Sequence, residues 1–329
     1  MQLLLDTRGL VVRLRNRCFH IRHNETERMI APHRISSIAV TQPCLISSGA
    51  IRLAAQHNIP VYFFSETGDP KAALHSPRFG NLATLRRQQV YFADSPAATA
   101  WVLELFALKA HQQAELLRWL GNHRKTAAVP VADALAQLAP ADLLPETEQA
   151  LPLAAVRPTL LGKEGNRARA YWQAIAAALP EALNFDTRTR RPATDPFNAA
   201  LNYLYGMLYT TVEQALWAAG LDPYLGLFHV DQYNAPTLAF DLIEPFRPWA
   251  DRFLIERCLN QEWQADFVDT RPEKGCTLNR EGKRFLIPKW NDYLMLREPF
   301  HTYQTSRKGS IYRYATELKQ HIEIFPLPT

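Results

Sequence analysis

The four cysteines of this 329-residue chain, Cys18, Cys44, Cys258 and Cys276, include no CxxC pair. That excludes a zinc ribbon and a dithiol redox motif. Scattered thiols without a pairing pattern fit a reducing compartment. No apolar run approaches the ~18 residues needed to cross a bilayer, so no membrane partner is expected. The opening MQLLLDTRGL lacks a basic start and meets Asp6 early. A signal peptide is therefore not expected, and the protein is expected to be cytoplasmic. Internal repeats and low-complexity tracts are also missing, which excludes solenoids and disordered arrays.

What remains is an ordinary globular composition, 47% hydrophobic and 21% charged. The length predicts about two domains, because single cores rarely grow past about 250–300 residues. The formal net charge is +5, unevenly spread. Residues 1–90 hold twelve Lys/Arg against five Asp/Glu, residues 91–160 five against seven, and the remainder twenty against twenty. A basic N-terminal quarter suits a polyanionic partner, and it equally suits a solvated face.

The pattern divides the chain into an N-terminal β-rich domain (1–78), a linker (79–90) and a larger all-α domain (91–329), an α+β protein. LVVRLRN and CFHIRH alternate apolar and polar residues around a turn near Asn16, and ISSIAV and PVYFF are further β-type runs. SSGAIRLAAQHN reads as a short helix with Ser47 as N-cap. SPRFGN is turn chemistry, and LATLRRQQVYF starts a helical pattern. AAVPVADALAQLAPADLLP reads as a proline-broken connector. One or two helices follow over 144–180. DPFNAALNYLYGMLYTTVEQALWAAG reads as a helix capped by Asp195, opened by Pro196 and closed by Gly220. RPWADRFLIERCLNQEWQADF reads as another.

The stretch 227–248, LFHVDQYNAPTLAFDLIEPFRP, sets His229, Asp241 and Glu244 among apolar residues. Asp241 and Glu244 share a side if helical, although Pro245 biases Glu244 away from helix. Carboxylates in apolar surroundings need a counter-charge or a cation. Arg247, Arg252 or another base pairing with them and a metal site are equally compatible with the residues. One imidazole with carboxylates is a hard N/O set that suits Mg²⁺ or Mn²⁺ better than structural zinc. Glu164 in LLGKEGNRARAYW is the candidate further ligand, with a Glu164–Arg167 surface pair as the plainer reading. Gly165 beside it permits close approach by a neighbour or ligand. Arg188, Arg190 and Arg191 precede the DPFN helix as phosphate-contact candidates or as a solvated loop.

Taken in order, LLGKEGNRARAYW, RPATDPFNAALNYLYGMLY, GLDPYLGLFH and TLAFDLIEPFRPWADR resemble the CRISPR-associated adaptation integrase family. DFVD, CTLNREGKRFL and YQTSRKGSIYRYATELKQHI resemble its C-terminal segments, and the first 64 residues its β-sandwich-like domain. The resemblance implies that Glu164, His229 and Glu244 bind Mg²⁺ or Mn²⁺, that Asp241 supports them, and that Asn198 packs beside the site. It implies a DNA endonuclease and integrase that inserts short duplexes into a CRISPR array by 3′-OH attack on a phosphodiester. The partners it implies are double-stranded DNA (protospacer, repeat and leader), a second copy joined through the β domain, and a dimer of a small ferredoxin-like adaptation protein. Arg167, Arg188, Arg190 and Arg191 would then lie along phosphates. A metal nuclease acting mainly on branched DNA in repair is the other activity that the same residues allow.

Overall fold

A computed structural model describes residues 2–35, 37–64, 70–74, 83–138, 143–271, 273 and 275–327. The chain forms two compact units, Met1–Asn81 and Leu82–Thr329. The expected turn at SPRFGN lies outside the described residues. Within the expected linker, residues 83–90 are helical and belong to the second unit.

In the first unit, β1 (Gln2–Leu5), β2 (Val11–Arg15), β3 (Cys18–His23), β4 (Thr26–Ile30), β5 (Ser37–Val40), β6 (Leu45–Ile46), α1 (Ser48–Gln56), β7 (Val61–Phe64) and β8 (Pro70–Leu74) build two four-stranded sheets. One has the order β1-β5-β7-β8, with its first three strands parallel and β8 antiparallel. The other has the order β4-β3-β2-β6, antiparallel except for the β2–β6 pair. Asn16 and Arg17 both take positive φ (50° and 58°) between Arg15 and Cys18, which pair directly. Such a two-residue turn matches the right-handed strand twist. The Ser47 hydroxyl accepts from the Ala50 N–H at 3.2 Å and starts α1. Leu3, Leu5, Val12, Phe19, Ile38 and Leu53 bring both sheets and α1 onto one core. Arg13, Arg15 and Arg22 stay on the exposed phase.

The second unit holds α2 (Ala83–Ala93), α3 (Pro96–His123), α4 (Ala128–Leu138), α5 (Glu146–Gln149), α6 (Leu153–Ala176), α7 (Pro196–Ala219), α8 (Thr237–Leu242) and α9 (Arg247–Leu259). Then come β9 (Val268–Arg271), β10 (Gly275–Leu278), α10 (Arg280–Met295), β11 (Arg297–Phe300), β12 (Tyr303–Ser306) and α11 (Arg307–Glu323). The antiparallel hairpins β9–β10 and β11–β12 correct the expectation of an all-helical unit. The expected connector contains α4, because Pro130 falls in its first turn, where an N–H has no intrahelical partner to lose. The helix expected over 247–267 ends at Leu259, and Gln261 beyond it takes φ 57°.

Two long helices carry most of the framework. α3 begins at Ser95, whose hydroxyl accepts from the Ala98 N–H at 3.3 Å. It buries Ala98, Trp101, Val102, Leu105 and Phe106 at helical spacing. α7 begins at Asp195, whose Oδ1 accepts from the Asn198 N–H at 2.7 Å, and ends at Gly220 with φ 87°. The left-handed cap suits glycine, which has no Cβ to clash. Among the described residues no helix is long and apolar enough to cross a membrane.

Candidate active site

Three segments of the second unit meet at a cluster of charges. α3 supplies Lys109 and α6 supplies Glu164. The 3-10 turn Glu244–Phe246, between α8 and α9, supplies Glu244, and the next residue is Arg247. Lys109 Nζ lies 2.6 Å from Glu164 Oε1 and 2.7 Å from Glu244 Oε2. Arg247 Nε lies 2.9 Å from the other oxygen of Glu244, at Oε1. Glu244 is 7% exposed, so its charge survives only because two cations share it. Burial pushes its carboxyl up, but Arg247 and then Lys109 outweigh burial and hold it down at about 2. The same balance acts in reverse on Lys109: burial opposes its charge, while Glu244 and Glu164 raise it above the ordinary lysine value.

The loop between α7 and α8 brings His229 to this cluster. Its shape depends on Gly226, where a Cβ would stand 2.5 Å from the His229 carbonyl oxygen and 2.7 Å from Thr237 Oγ1. Asp231 Oδ1 accepts from the Gly226 N–H and from the Thr237 hydroxyl. Buried Asp241 then gathers the loop. Its Oδ2 accepts from the N–H groups of Leu227 (2.7 Å) and Phe228 (3.0 Å), and its Oδ1 from the N–H of His229 (2.9 Å). Arg157 clamps the opposite edge by donating to the Leu227 and Phe228 carbonyls.

His229 Nδ1 is 2.6 Å from Asp241 Oδ1. A carboxylate only accepts, so Nδ1 carries the proton and Nε2 keeps its lone pair. The ring has a third of its side chain exposed and stands close enough to Glu244 that its protonated form would lower that carboxyl further.

The expected residues therefore divide. Glu164 and Glu244 share one cation, and His229 stands beside them on the Asp241 support. Asp241 and Glu244 do not act as a pair: one faces the loop, the other Lys109 and Arg247. Arg252 pairs with Glu256 rather than with either acid. Gly162 and Gly165 meet nothing within 4 Å at the position of a Cβ, so no neighbour makes the close approach that Gly165 permits. Arg167 lines a cavity of about 20 Å³ beside Lys109 and Glu164, room for about one water.

Asn198 is fully buried and pins the loop before α7. Its Nδ2 donates to the Thr187 carbonyl and Asp195 Oδ2, and its Oδ1 accepts from the Thr189 N–H. Arg188 is drawn into the same lattice. It donates to Asn198 Oδ1 (2.9 Å) and Asn202 Oδ1 (2.6 Å) and stands over the Tyr205 ring at 5.2 Å. A guanidinium so engaged helps to build the loop. Arg190 and Arg191 are exposed.

Lys109 was not legible as a site residue. It is one of several polar positions on α3, 55 residues before Glu164, and no spacing links it to the acids. A requirement for a counter-charge was readable, with Arg247, Arg252 or another base as the candidates; Arg247 pairs with Glu244 and Arg252 does not.

The family model described as CRISPR associated protein Cas1 matches residues 3–292, so the chain belongs to that family. It is 29% identical to CRISPR-associated endonuclease Cas1 1 of Archaeoglobus fulgidus, over 87% of this chain and 86% of that protein. It is 31% identical to CRISPR-associated endonuclease Cas1 1 of Thermus thermophilus, over 90% and 87%. Its fold is similar to a casposase bound to integration product, with TM-score 0.81 at 21% identity, covering 98% of this chain and 90% of that one. A Cas1 protein from Thermotoga maritima gives TM-score 0.78 at 19% identity over the whole of both chains. These two likenesses establish the α+β architecture, strand-rich first and helical after.

Proposed function

We propose that the protein is a divalent-metal-dependent DNA endonuclease and integrase that inserts short duplexes into a CRISPR array. The observation that carries the reading is the single cation, Lys109 Nζ, held between Glu164 and Glu244 beside an imidazole of fixed tautomer. The donor set fits Mg²⁺ or Mn²⁺: two carboxylates that already converge on positive charge and an imidazole nitrogen with an available lone pair. The ligand atoms of Glu164, His229 and Glu244 do not all lie within 4.8 Å of one another. An ammonium stands between the two carboxylates of that set.

When bound, the cation supplies Lewis-acid charge for a phosphate oxygen and for the attacking or leaving oxygen. The chain's own groups prepare for it. Arg247 keeps Glu244 ionised and fixes its orientation. Asp241 holds the imidazole so that Nε2 faces the site, as carboxylates behind metal-binding histidines do. Lys109 neutralises the two acids in the metal-free protein and must leave the gap between them when a divalent ion enters. Glu164, His229 and Glu244 are thus the ligands in this reading, Asp241 the support, and Arg190 and Arg191 the exposed cations placed to meet phosphate.

The substrates in this reading are a 3′-OH duplex and a CRISPR repeat, and the same centre run in reverse cuts branched DNA. The relatives' names carry the word endonuclease, and structures of similar fold include a Cas6-RT-Cas1–Cas2 complex. We extend from these an assembly of two copies of this chain with the small adaptation partner.

The test combines the protein, that partner, a 3′-OH duplex and a supercoiled repeat-bearing plasmid with Mn²⁺. Joined products are the expected result. Cutting of branched DNA without joining would favour a repair nuclease. Full activity of His229→Ala in both assays would overturn the metal-site assignment.

A further inference from the structure

We propose that Glu104, His301 and Glu317 form a second binding site for a first-row divalent cation, separate from the Lys109 cluster. Among the described residues this is the one group of three His, Cys, Asp or Glu side chains whose ligand atoms all lie within 4.8 Å of one another. The inference does not rest on the proposed activity.

Three elements contribute one ligand each. Glu104 comes from α3, His301 from the turn between β11 and β12, and Glu317 from α11. The helices face each other here, because Trp101 stacks on Tyr314 at 5.7 Å. Glu104 and Glu317 each follow one of those rings by three residues and so share its face. His301, at φ 52°, turns its ring between the two acids.

The distances are those of a loose group without a direct hydrogen bond. His301 Nε2 lies 3.7 Å from Glu104 Oε1 and 3.8 Å from Glu317 Oε1. Both exceed hydrogen-bond range, and one N–H cannot donate well to two carboxylates. Ligands of a tetrahedral zinc at ~2.0–2.1 Å stand roughly 3.3–3.5 Å apart, so each acid has to approach the imidazole by only about 0.4 Å, within a group whose ligand atoms all lie within 4.8 Å of one another. The second oxygen of Glu317 accepts from the Tyr303 hydroxyl, leaving Oε1 turned to the imidazole. An outer hydrogen bond of this kind orients a ligating carboxylate.

A second observation comes from a buried hydroxyl on the same helix face. Tyr314 is 1% exposed, and its hydroxyl has no partner among the described residues. Buried hydroxyls are rarely left so. Tyr314 stacks on Trp101, three residues before Glu104, and itself stands three residues before Glu317, so it shares the face of both acids; burial first, and then the Glu104 carboxylate, push its phenol up. Water on a cation held by Glu104 would supply the partner. One imidazole and two carboxylates favour zinc or manganese over calcium, which takes oxygen ligands. A quarter of the His301 side chain and 28% of that of Glu317 are open, so the ion would exchange with solvent.

The ion would also fasten the β11–β12 hairpin to both helices. Phe300, beside His301, packs on Phe246 at 5.0 Å, and Phe246 shares a 3-10 turn with Glu244.

The test is zinc binding by the chelator-stripped full chain, read as bound zinc per chain by equilibrium dialysis and as the zinc-induced rise in Tm. His229→Ala removes one ligand of the other site and should leave one zinc bound. Adding His301→Asn, which tolerates the left-handed backbone, should abolish it. Glu104→Gln, at an exposed position, should do the same without changing the metal-free Tm. Tyr303→Phe should weaken zinc about 10-fold, because only the orienting bond is lost. If His229→Ala binds no zinc, or if His301→Asn and Glu104→Gln bind as much as their parent, the proposal falls.

Discussion

Glu244 and Asp251 lie seven residues apart, both buried, and their carboxyls move in opposite directions. Asp251 receives the hydroxyls of Tyr171 at 2.8 Å and Tyr205 at 2.7 Å. Burial raises it to about 6, and those two hydrogen bonds only limit the rise. Glu244 receives an ammonium and a guanidinium and falls to about 2. Neutral donors satisfy a buried carboxyl without keeping it charged; formal cations in direct contact keep it charged down to about pH 2. The difference separates a carboxyl kept ionised by its neighbours from one that burial keeps protonated up to about pH 6.

Breaking the charged pocket should have the largest effect. Glu244→Gln leaves Lys109 with one partner and Arg247 with none of opposite charge in a buried site. Removing one member of a buried ion pair costs about 3–5 kcal/mol. Loss of a ligand that stabilises several kcal/mol of developing charge should also lower DNA joining roughly 100- to 1,000-fold. Chemical denaturation and the joining assay check the two separately. A variant as stable and as active as the parent would mean that the two pockets do not differ in the way described.

The neutral pocket predicts the opposite pH response. Between Asp251's ordinary value of 3.8 and about 6, the folded chain holds a proton that the unfolded chain has released. Stability from this group therefore falls as pH rises through that window, by about 3 kcal/mol in total. Glu244 runs the other way, losing stability as pH falls from 4.5 towards 2. Urea titrations at pH 4, 5 and 6 should show Asp251→Asn losing less stability across the series than the parent. Parallel curves would sink the assignment.

Much of this arrangement was legible in the sequence, for physical reasons that also show where legibility stopped. Ser47, Asp195, Pro196 and Gly220 mark helix ends through local chemistry, and the structure uses each as expected. The two C-terminal hairpins have four-residue strands, too short for alternation to register. Pro130 reads as a breaker until its place in a first turn is known. The acids at 241 and 244 were readable as buried charges, but the sequence could not say that they face different partners. That depends on Gly226, which folds the loop onto Asp241, and on Lys109, which arrives from another helix.

Asp241→Asn tests the support behind the imidazole. The amide keeps the volume, but it cannot accept from all three backbone N–H groups and Nδ1 at once. Joining should fall about 10- to 100-fold, as for other groups behind a metal ligand. DNA binding without metal should not change. Equal losses in binding and joining would show that Asp241 serves only to fold the loop.

Lys109 gives the finest distinction, because it is the one of Glu244's two cations that also holds Glu164. Lys109→Met removes the ammonium and leaves Glu164 and Glu244 facing across the gap. Without metal, their repulsion should destabilise the variant. With Mn²⁺, the same repulsion is relieved by the ion, and no bound lysine has to be displaced. Mn²⁺ should therefore bind the variant about tenfold more tightly, and a ligand that prefers the folded chain raises Tm in proportion to the logarithm of that gain. The measurement is the Mn²⁺-dependent Tm shift of parent and variant at one protein concentration. A smaller shift in Lys109→Met would make the lysine a partner of the metal site rather than the cation that occupies it.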